Sequence, residues 1–204
     1  MSTVMAISAA KNNAELIVEC AQLGYLHRDW LILDPTYGKG RFWTELKPKH
    51  LIGSDLKMEL SLVGTSVDFT DLPWADEHFD AVVFDPPYKL SGTPTGEGPA
   101  SGDKSYGITE YKSIEERHQL IFDGITECMR VLKPGGYLLI KCQDQVSSGR
   151  VQWQTRIFAD HAEDLGAKLV DMLHLPGYRK QPKGRSQKHA RRNYSTMLIV
   201  RKNK

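Results

Sequence analysis

Four consecutive residues, Asp85, Pro86, Pro87 and Tyr88, combine a carboxylate, two rigid prolines and an aromatic ring. They follow a short apolar run, 81–84, whose strand-forming residues predict a buried strand. Proline lacks the N–H that a strand needs, so the strand must end here and the next loop must be stiff. Ligands of open α/β sheets bind at the carboxyl ends of strands. The four residues therefore predict a catalytic site for a planar base that bears an amino group.

A second motif lies between a predicted strand, 31–33, and a helix expected from Arg41 to Leu46. It begins with Asp34 and continues with Pro35, Thr36, Gly38 and Gly40. The glycines let the backbone turn tightly and approach a ligand closely. An acid at the entrance of such a turn repels a pyrophosphate, which argues against a dinucleotide. It attracts an ammonium group, such as the amino-acid end of S-adenosylmethionine.

Two further predicted strands, 51–54 and 67–69, also carry acids at or near their ends. Asp55 is placed where an acid accepts hydrogen bonds from ribose hydroxyls. Asp68 is expected to accept a hydrogen bond from an adenine amino group, and Phe69 to lie on the adenine ring. Each acid alone also fits an ordinary cap or turn, whereas all of them in sequence order favour a site. The predicted cofactor-binding residues are Asp34, Pro35, Thr36, Gly38, Gly40, Asp55, Asp68, Phe69 and Asp85.

The rest of the pattern supplies the elements that hold these residues. Strands alternate with helices, which predicts βαβ units and a mostly parallel, doubly wound α/β sheet. Two late strands, 168–175 and 196–201, have no helix between them and are expected to pair antiparallel. A chain of 204 residues suits one domain. Within 1–204 we expect an N-terminal helical segment, 1–29, a glycine-rich loop beside the site, 89–112, and a basic loop, 176–193. The other predicted elements are helices at 13–23, 113–132 and 154–165 and a strand at 137–141.

The formal net charge of +2 hides an uneven distribution, because the last 29 residues hold ten Lys or Arg and no acid. Such a split predicts a polyanionic partner met by one face. The alternative is a merely solvated loop. The predicted nucleic-acid-binding residues are Arg179, Lys180, Lys183, Arg185, Lys188, His189, Arg191 and Arg192.

Three dispersed cysteines argue against a metal site or disulfides and fit a reducing cytosol. The sequence shows no apolar stretch long enough for a membrane span and no signal peptide. It therefore predicts a cytoplasmic protein that has no metal and no membrane partner.

With these residues in place, the chain resembles class I S-adenosylmethionine-dependent methyltransferases. Residues 33–40 resemble the glycine-rich cofactor motif of that family, 71–80 the approach to its fourth strand, and 129–136 the helix end before its fifth. The D-P-P-Y motif, 85–88, is similar to that of amino-methylating members, especially small bacterial or phage DNA adenine-N6 methylases. The resemblance implies a Rossmann-like fold with a seven-stranded sheet, and S-adenosyl-L-methionine as cofactor.

The resemblance also implies a chemistry for the D-P-P-Y motif. Asp85 and the Pro86 carbonyl would accept the two hydrogens of an adenine amino group, and Tyr88 would stack on the base, which must leave the duplex. DNA is therefore the expected partner. Methylation of an RNA base, at adenine-N6 or guanine-N2, and a non-catalytic nucleic-acid-binding subunit remain alternatives. The recognition sequence stays open, because no separate target-recognition domain follows the motif. The oligomeric state is open as well.

Overall fold

We describe the protein from a computed structural model. The structure describes residues 10–90, 113–147, 149–177, 188–190 and 192–204. Most of the glycine-rich loop, 91–112, and part of the basic loop, 178–187 and 191, lie outside the described residues. Within the described part, no helix is long and apolar enough to cross a membrane.

A six-stranded sheet organises the described residues, in the order β2-β1-β3-β4-β8-β7. A separate two-stranded hairpin, β5–β6, follows β4 in the chain. The strands are β1 (Leu31–Asp34), β2 (His50–Gly53), β3 (Phe79–Phe84), β4 (Leu132–Cys142), β5 (Gln145–Ser147), β6 (Arg150–Gln152), β7 (Ala167–Pro176) and β8 (Tyr194–Lys202). The helices are α1 (Asn13–Gln22), α2 (Ile114–Val131) and α3 (Gln154–Asp164).

The direction of the strands confirms the predicted fold class. The strands β2, β1, β3 and β4 run parallel, whereas β8 runs antiparallel to both β4 and β7. The sheet is therefore a mostly parallel, doubly wound α/β sheet with one reversed late strand next to an edge.

Two local predictions were wrong, and one element was missed. In the described residues the sheet has six strands rather than seven, because the segment 67–69 forms no strand there and an isolated bridge joins Asp55 to Ser66 instead. Val67 is buried but its neighbours 62–66 and Asp68 are exposed, so the segment lacks the apolar run of an interior strand. The helix expected at 41–46 is a single 3-10 turn, Arg41–Trp43, which has no side-chain cap. The β5–β6 hairpin was not predicted.

Capping side chains fix the starts of the two predicted helices that flank the site. The Asn12 side chain accepts a hydrogen bond from the Glu15 N–H at the start of α1. Ser113 and Glu116 form a reciprocal capping box at the start of α2. Each helix therefore begins where the sequence predicted.

The two faces of the sheet carry separate hydrophobic clusters. Leu33, Phe84 and Ile140 face α2 and α3, in the larger cluster. Val83 and Leu139 face α1 and the 3-10 turn. Because side chains alternate along a strand, residues two positions beyond Val83 and Leu139 leave the sheet on the α1 face as well. This alternation decides which polar groups meet at the carboxyl ends of the strands.

Candidate active site

A threonine hydroxyl joins the two predicted motifs at the carboxyl edge of the sheet. The backbone N–H of Asp85 donates to Thr36 Oγ1 at 2.9 Å. The same hydroxyl lies 3.3 Å from Asp34 Oδ1 and donates to it. The structure thus brings together the acid that ends β1 and the acid that follows β3, both of which were predicted site residues.

Asp34 is buried, with 2% of its surface exposed, and both of its carboxylate oxygens are engaged. Trp43 Nε1 donates to Oδ2 at 2.7 Å, and the Thr36 N–H donates to Oδ1 at 3.0 Å. Burial raises the pKa of Asp34 from 3.8 to about 7, against the lowering effect of these hydrogen bonds. A buried acid in this state gains from a nearby cation, which fits the ammonium group of the predicted cofactor.

The turn after Asp34 has the tight backbone that its glycines predicted. Gly38 and Gly40 have φ values of 54° and 64°, in the left-handed region that favours glycine. A Cβ at Gly40 would lie 2.5 Å from Tyr37 Oη, because the Tyr37 ring packs over this glycine and over Gly53. Pro35, also predicted in this site, is buried beside them. The tyrosine ring therefore fixes the turn, a contact that the sequence did not predict.

Asp55 ties the glycine turn to the segment after β2. The Gly38 N–H donates to Asp55 Oδ2 and the Lys57 N–H to Oδ1, both at 2.9 Å. Each carboxylate oxygen has a second lone pair that remains available to a donor. The predicted hydrogen bond to ribose hydroxyls therefore stays compatible with this geometry.

Asp68 and Phe69 lie farther from the predicted geometry, because the strand expected to carry them does not form. The exposed Asp68 accepts hydrogen bonds from the Thr70 N–H at 2.9 Å and its hydroxyl at 2.8 Å, which closes a local turn. The half-buried Phe69 ring packs edge-on against Phe84, with centroids 5.2 Å apart. Their contacts with adenine stay predictions.

The Asp85 carboxyl holds an unsatisfied acceptor. Its Oδ1 is buried and has no hydrogen-bond partner among the residues that the structure describes. Burial raises the pKa of Asp85, while the positive charges of Lys141 and Lys89 lower it. The adjacent Pro86 carbonyl accepts the Tyr88 N–H at 2.7 Å and keeps one lone pair free. An orphaned buried acceptor costs about 1–3 kcal/mol, which a ligand N–H at this place would recover.

Tyr88 is held more deeply than a base-stacking ring requires. Only 9% of the residue is exposed, and it belongs to the larger hydrophobic cluster. Its carbonyl accepts Gln145 Nε2 at 2.8 Å and Gln154 Nε2 at 3.0 Å. Stacking on a base, as predicted, would use the exposed edge or need the ring to turn outward. The two glutamines fix the loop, and no sequence pattern identified them.

Part of the basic loop lies against the β5–β6 hairpin. The guanidinium of Arg192 lies 4.2 Å from the centroid of Trp153, whose exposed fraction is 48%. His189 Nε2 lies 2.9 Å from the Gly149 carbonyl, and Gln143 Nε2 donates to the Arg192 carbonyl at 2.8 Å. Since Gln154 Nε2 also donates to the Gln143 carbonyl, this surface is continuous with the Tyr88 loop.

The structure describes only some of the predicted nucleic-acid-binding residues of the basic loop. Lys188, like His189 and Arg192, is described and lies in this stretch. The other predicted contacts fall outside the described residues: Arg179, Lys180, Lys183, Arg185 and Arg191. In the described part of the chain, no three His, Cys, Asp or Glu side chains converge on a site for a metal ion.

Comparison with solved structures identifies the fold. A Bacillus halodurans protein described as a methyltransferase matches with a TM-score of 0.62, at 14% identity over 92% of this chain and 99% of that one. The 1,6-didemethyltoxoflavin-N1-methyltransferase of Burkholderia thailandensis, solved with bound S-adenosylhomocysteine, gives 0.54 at 14% identity over 95% and 80%. A 4+2 cyclase, SpnF, gives 0.58 at 15% identity over 93% and 81%. These likenesses show the fold alone, since one of these proteins is named for a different reaction.

The sequence comparison is more specific. A search of curated proteins finds no match. Residues 79–204, more than half of the chain and including the D-P-P-Y motif, match the family model of N6/N4 methylases, described as DNA methylase. The cofactor of this family is S-adenosylmethionine. The chain therefore belongs to the DNA methylase family and is an S-adenosylmethionine-dependent methyltransferase.

Proposed function

We propose that this protein methylates the exocyclic N6 amino group of adenine in DNA. The observation that carries the proposal is the buried, unpaired Oδ1 of Asp85, next to the Pro86 carbonyl, at the carboxyl end of β3. Two acceptors at adjacent residues suit an –NH2 group, which has two hydrogens to donate.

The two acceptors would make the amino group of the substrate a better nucleophile. The lone pair of an exocyclic amino group is delocalised into the ring, so the nitrogen is a poor nucleophile. When Asp85 and the Pro86 carbonyl accept hydrogen bonds from its two N–H groups, the nitrogen becomes pyramidal. Its lone pair is then no longer delocalised into the ring and can attack. When bound, S-adenosylmethionine supplies an electrophilic methyl group on a sulfonium. The chain's own contribution is positioning and electrostatic preorganisation, with no strong base needed before attack.

The cofactor side of the proposal rests on acids at adjacent strand ends. Asp34 would attract the ammonium group, Asp55 the ribose hydroxyls, and the turn at Gly38 and Gly40 would let the backbone approach the ligand. In the described geometry Thr36 donates twice to Oδ1 of Asp34 and Trp43 once to Oδ2, so a lone pair of Oδ2 is left to accept from the ammonium group. Asp68 and Phe69 would complete the site at the adenine ring only after a local rearrangement.

Adenine is favoured over cytosine by the first residue of the motif. Adenine-methylating members of the resembled family mostly begin this tetrapeptide with Asp, as here, whereas cytosine-N4 enzymes often begin it with Ser. DNA is favoured as polymer by the family match. The Arg192–Trp153 stack next to the Tyr88 loop supports a nucleic-acid partner, since a cation and an aromatic face suit a phosphate and a base.

The test is product analysis. Purified protein and S-adenosylmethionine are incubated with duplex DNA, single-stranded DNA and RNA, and each polymer is digested to nucleosides for mass spectrometry. We expect N6-methyladenine from DNA. Methyl groups found only in RNA, on guanine or on cytosine N4 would overturn the proposed substrate while leaving the enzyme class intact.

A paired variant tests the site itself. Asp85→Ala should lose roughly a hundredfold or more of the turnover while cofactor binding, measured by calorimetry, stays largely intact. Asp160→Ala, which removes an exposed acid on α3, serves as the matched control and should behave as wild type. Near-normal turnover by Asp85→Ala would contradict the mechanism.

A further inference from the structure

A buried lysine lies beside the acid of the D-P-P-Y motif. Lys141, near the end of β4, has 2% of its surface exposed. Lysine is almost never fully buried unless its charge is compensated. Its burial at the active-site edge of the sheet therefore needs a physical explanation. Neither the family match nor the predicted motifs give Lys141 a role.

Strand register places the two side chains next to each other. In the parallel pair of β3 and β4, Val83 faces Leu139 and Phe84 faces Ile140. Asp85 and Lys141 are the next residues along the two chains. Partners in a parallel ladder project from the same face, which here is the face covered by α1. The carboxyl and the ammonium group are thus neighbours across adjacent strands.

The ammonium group is held by two uncharged partners. Lys141 Nζ donates to Asn13 Oδ1 at 2.6 Å, from the first residue of α1. It also lies 5.5 Å from the centroid of the Phe42 ring. Both partners are uncharged, so neither neutralises the lysine.

The spacing between the two charges leaves the acceptor free. Among the described residues, no carboxylate lies within 4.0 Å of Lys141 Nζ. Yet, of the charged groups around Asp85, Lys141 lowers its pKa most, and Asp85 in turn is the charge that raises the pKa of Lys141 most. A direct salt bridge would occupy the carboxylate, whereas a cation fixed at longer range stabilises its charge and keeps Oδ1 open to a substrate N–H.

We propose that Lys141, anchored by Asn13, is a positioning residue that keeps Asp85 ionised and its Oδ1 available to the amino group of the substrate. This inference rests on the proposed transfer to an amino group. An ionised carboxylate accepts two hydrogen bonds per oxygen and stabilises the positive charge that develops on the nitrogen, whereas a protonated carboxyl does neither as well.

The other charged groups around the pair do not replace Lys141. Asp85 also faces Lys89, which is exposed, and Asp34, whose negative charge opposes ionisation. Lys141 also faces Lys89, which disfavours its charge, and the Cys20 and Cys142 thiols. Burial raises the pKa of both thiols, that of Cys20 to about 12, so they stay neutral in any ordinary assay.

The first experiment measures the carboxyl group directly. Asp85 is titrated by carboxyl 13C NMR in wild type and in Lys141→Met, which keeps the length of the side chain and removes the charge. We expect the pKa of Asp85 to rise by about one pH unit or more. Lys133→Met is the matched control, since Lys133 lies at the other end of β4 and pairs with Asp80; the pKa of Asp85 should not move. An unchanged Asp85 pKa in Lys141→Met would overturn the inference.

A reciprocal variant covers the case in which Lys141→Met does not fold. In Asp85→Asn, a nearly isosteric change, Lys141 loses its negative neighbour, so its pKa, followed by 15N NMR of Nζ, should fall by a comparable amount. A Lys141 pKa that is the same in wild type and Asp85→Asn would contradict the pairing.

Activity then distinguishes the inference from the proposed function. The acidic limb of the kcat profile should move to higher pH in Lys141→Met by the shift measured for Asp85, and stay in place in Lys133→Met. If the pKa of Asp85 rises in Lys141→Met but the wild-type protein methylates no polymer, the proposed function is refuted and the pairing of Lys141 with Asp85 stands. An active Lys141→Met with an unmoved acidic limb would refute the role of Lys141.

Discussion

The hydroxyl of Thr36 offers the sharpest test of how the two motifs act together. Thr36→Val keeps the shape of the side chain but removes the group that accepts the Asp85 N–H and donates to Asp34. An N–H that loses its partner in a partly buried place costs about 1–2 kcal/mol. If the loss falls on the transition state, turnover drops roughly 5- to 30-fold. If it falls on the fold, Tm drops by about 2–8 °C for a chain of this size.

The assay combines both readouts with a control that separates the hydroxyl from the methyl group. Turnover, cofactor affinity and thermal unfolding are measured for wild type, Thr36→Val and Thr36→Ser. Serine retains the hydroxyl, so Thr36→Ser should stay close to wild type in all three. Wild-type values for Thr36→Val would refute the claim that this hydroxyl couples the motifs, and equal losses in both variants would assign the effect to the methyl group.

Three further outcomes follow from particular contacts. Burial raises the pKa of Asp34 to about 7. Between about pH 4 and 7, Asp34 is therefore protonated in the folded chain but ionised in the unfolded chain. The free energy of unfolding should therefore fall as pH rises through that window and level off above it, and Asp34→Asn, followed by urea unfolding, should remove this slope. Gly124→Ala, normally a favourable change inside a helix, should instead destabilise by about 1–3 kcal/mol in the same assay, since the new Cβ would lie 2.6 Å from Phe84 and 2.7 Å from Phe69. Trp153→Ala should weaken DNA binding, measured by fluorescence anisotropy, with little change in its salt dependence, whereas Arg192→Ala should reduce the slope of log K against log salt by about one.

The sequence was most informative where local chemistry and tertiary structure agree. The buried strand before Asp85, the capping box at Ser113 and the reversed strand at the end of the chain were all predictable, because periodicity and caps act over a few residues. The segment around Asp68 was not, since its strand-like residues have no apolar neighbours to bury.

Contacts between distant residues account for what the sequence could not show. Gln145 and Gln154 hold the Tyr88 carbonyl from more than fifty residues away. Lys141 stands in an apolar strand pattern, where only the register with β3 reveals its neighbour. The sequence alone does not show which residue lies beside a single polar residue in a strand. That neighbour can be identified only when the order and register of the strands are known.

The position of β8 has a consequence for how the chain acquires its structure. This strand inserts between β4 and β7, and β7 has no other partner in the described sheet. About fifty residues separate the end of β4 from the start of β8, so this pairing closes a long loop. Non-local pairing of this kind is slow compared with helix formation. The pairings of β1 with β3 and of β3 with β4 join residues just as far apart, so the edge that carries Lys141 rests on non-local contacts on every side, and we expect it to become rigid only when the whole sheet has formed.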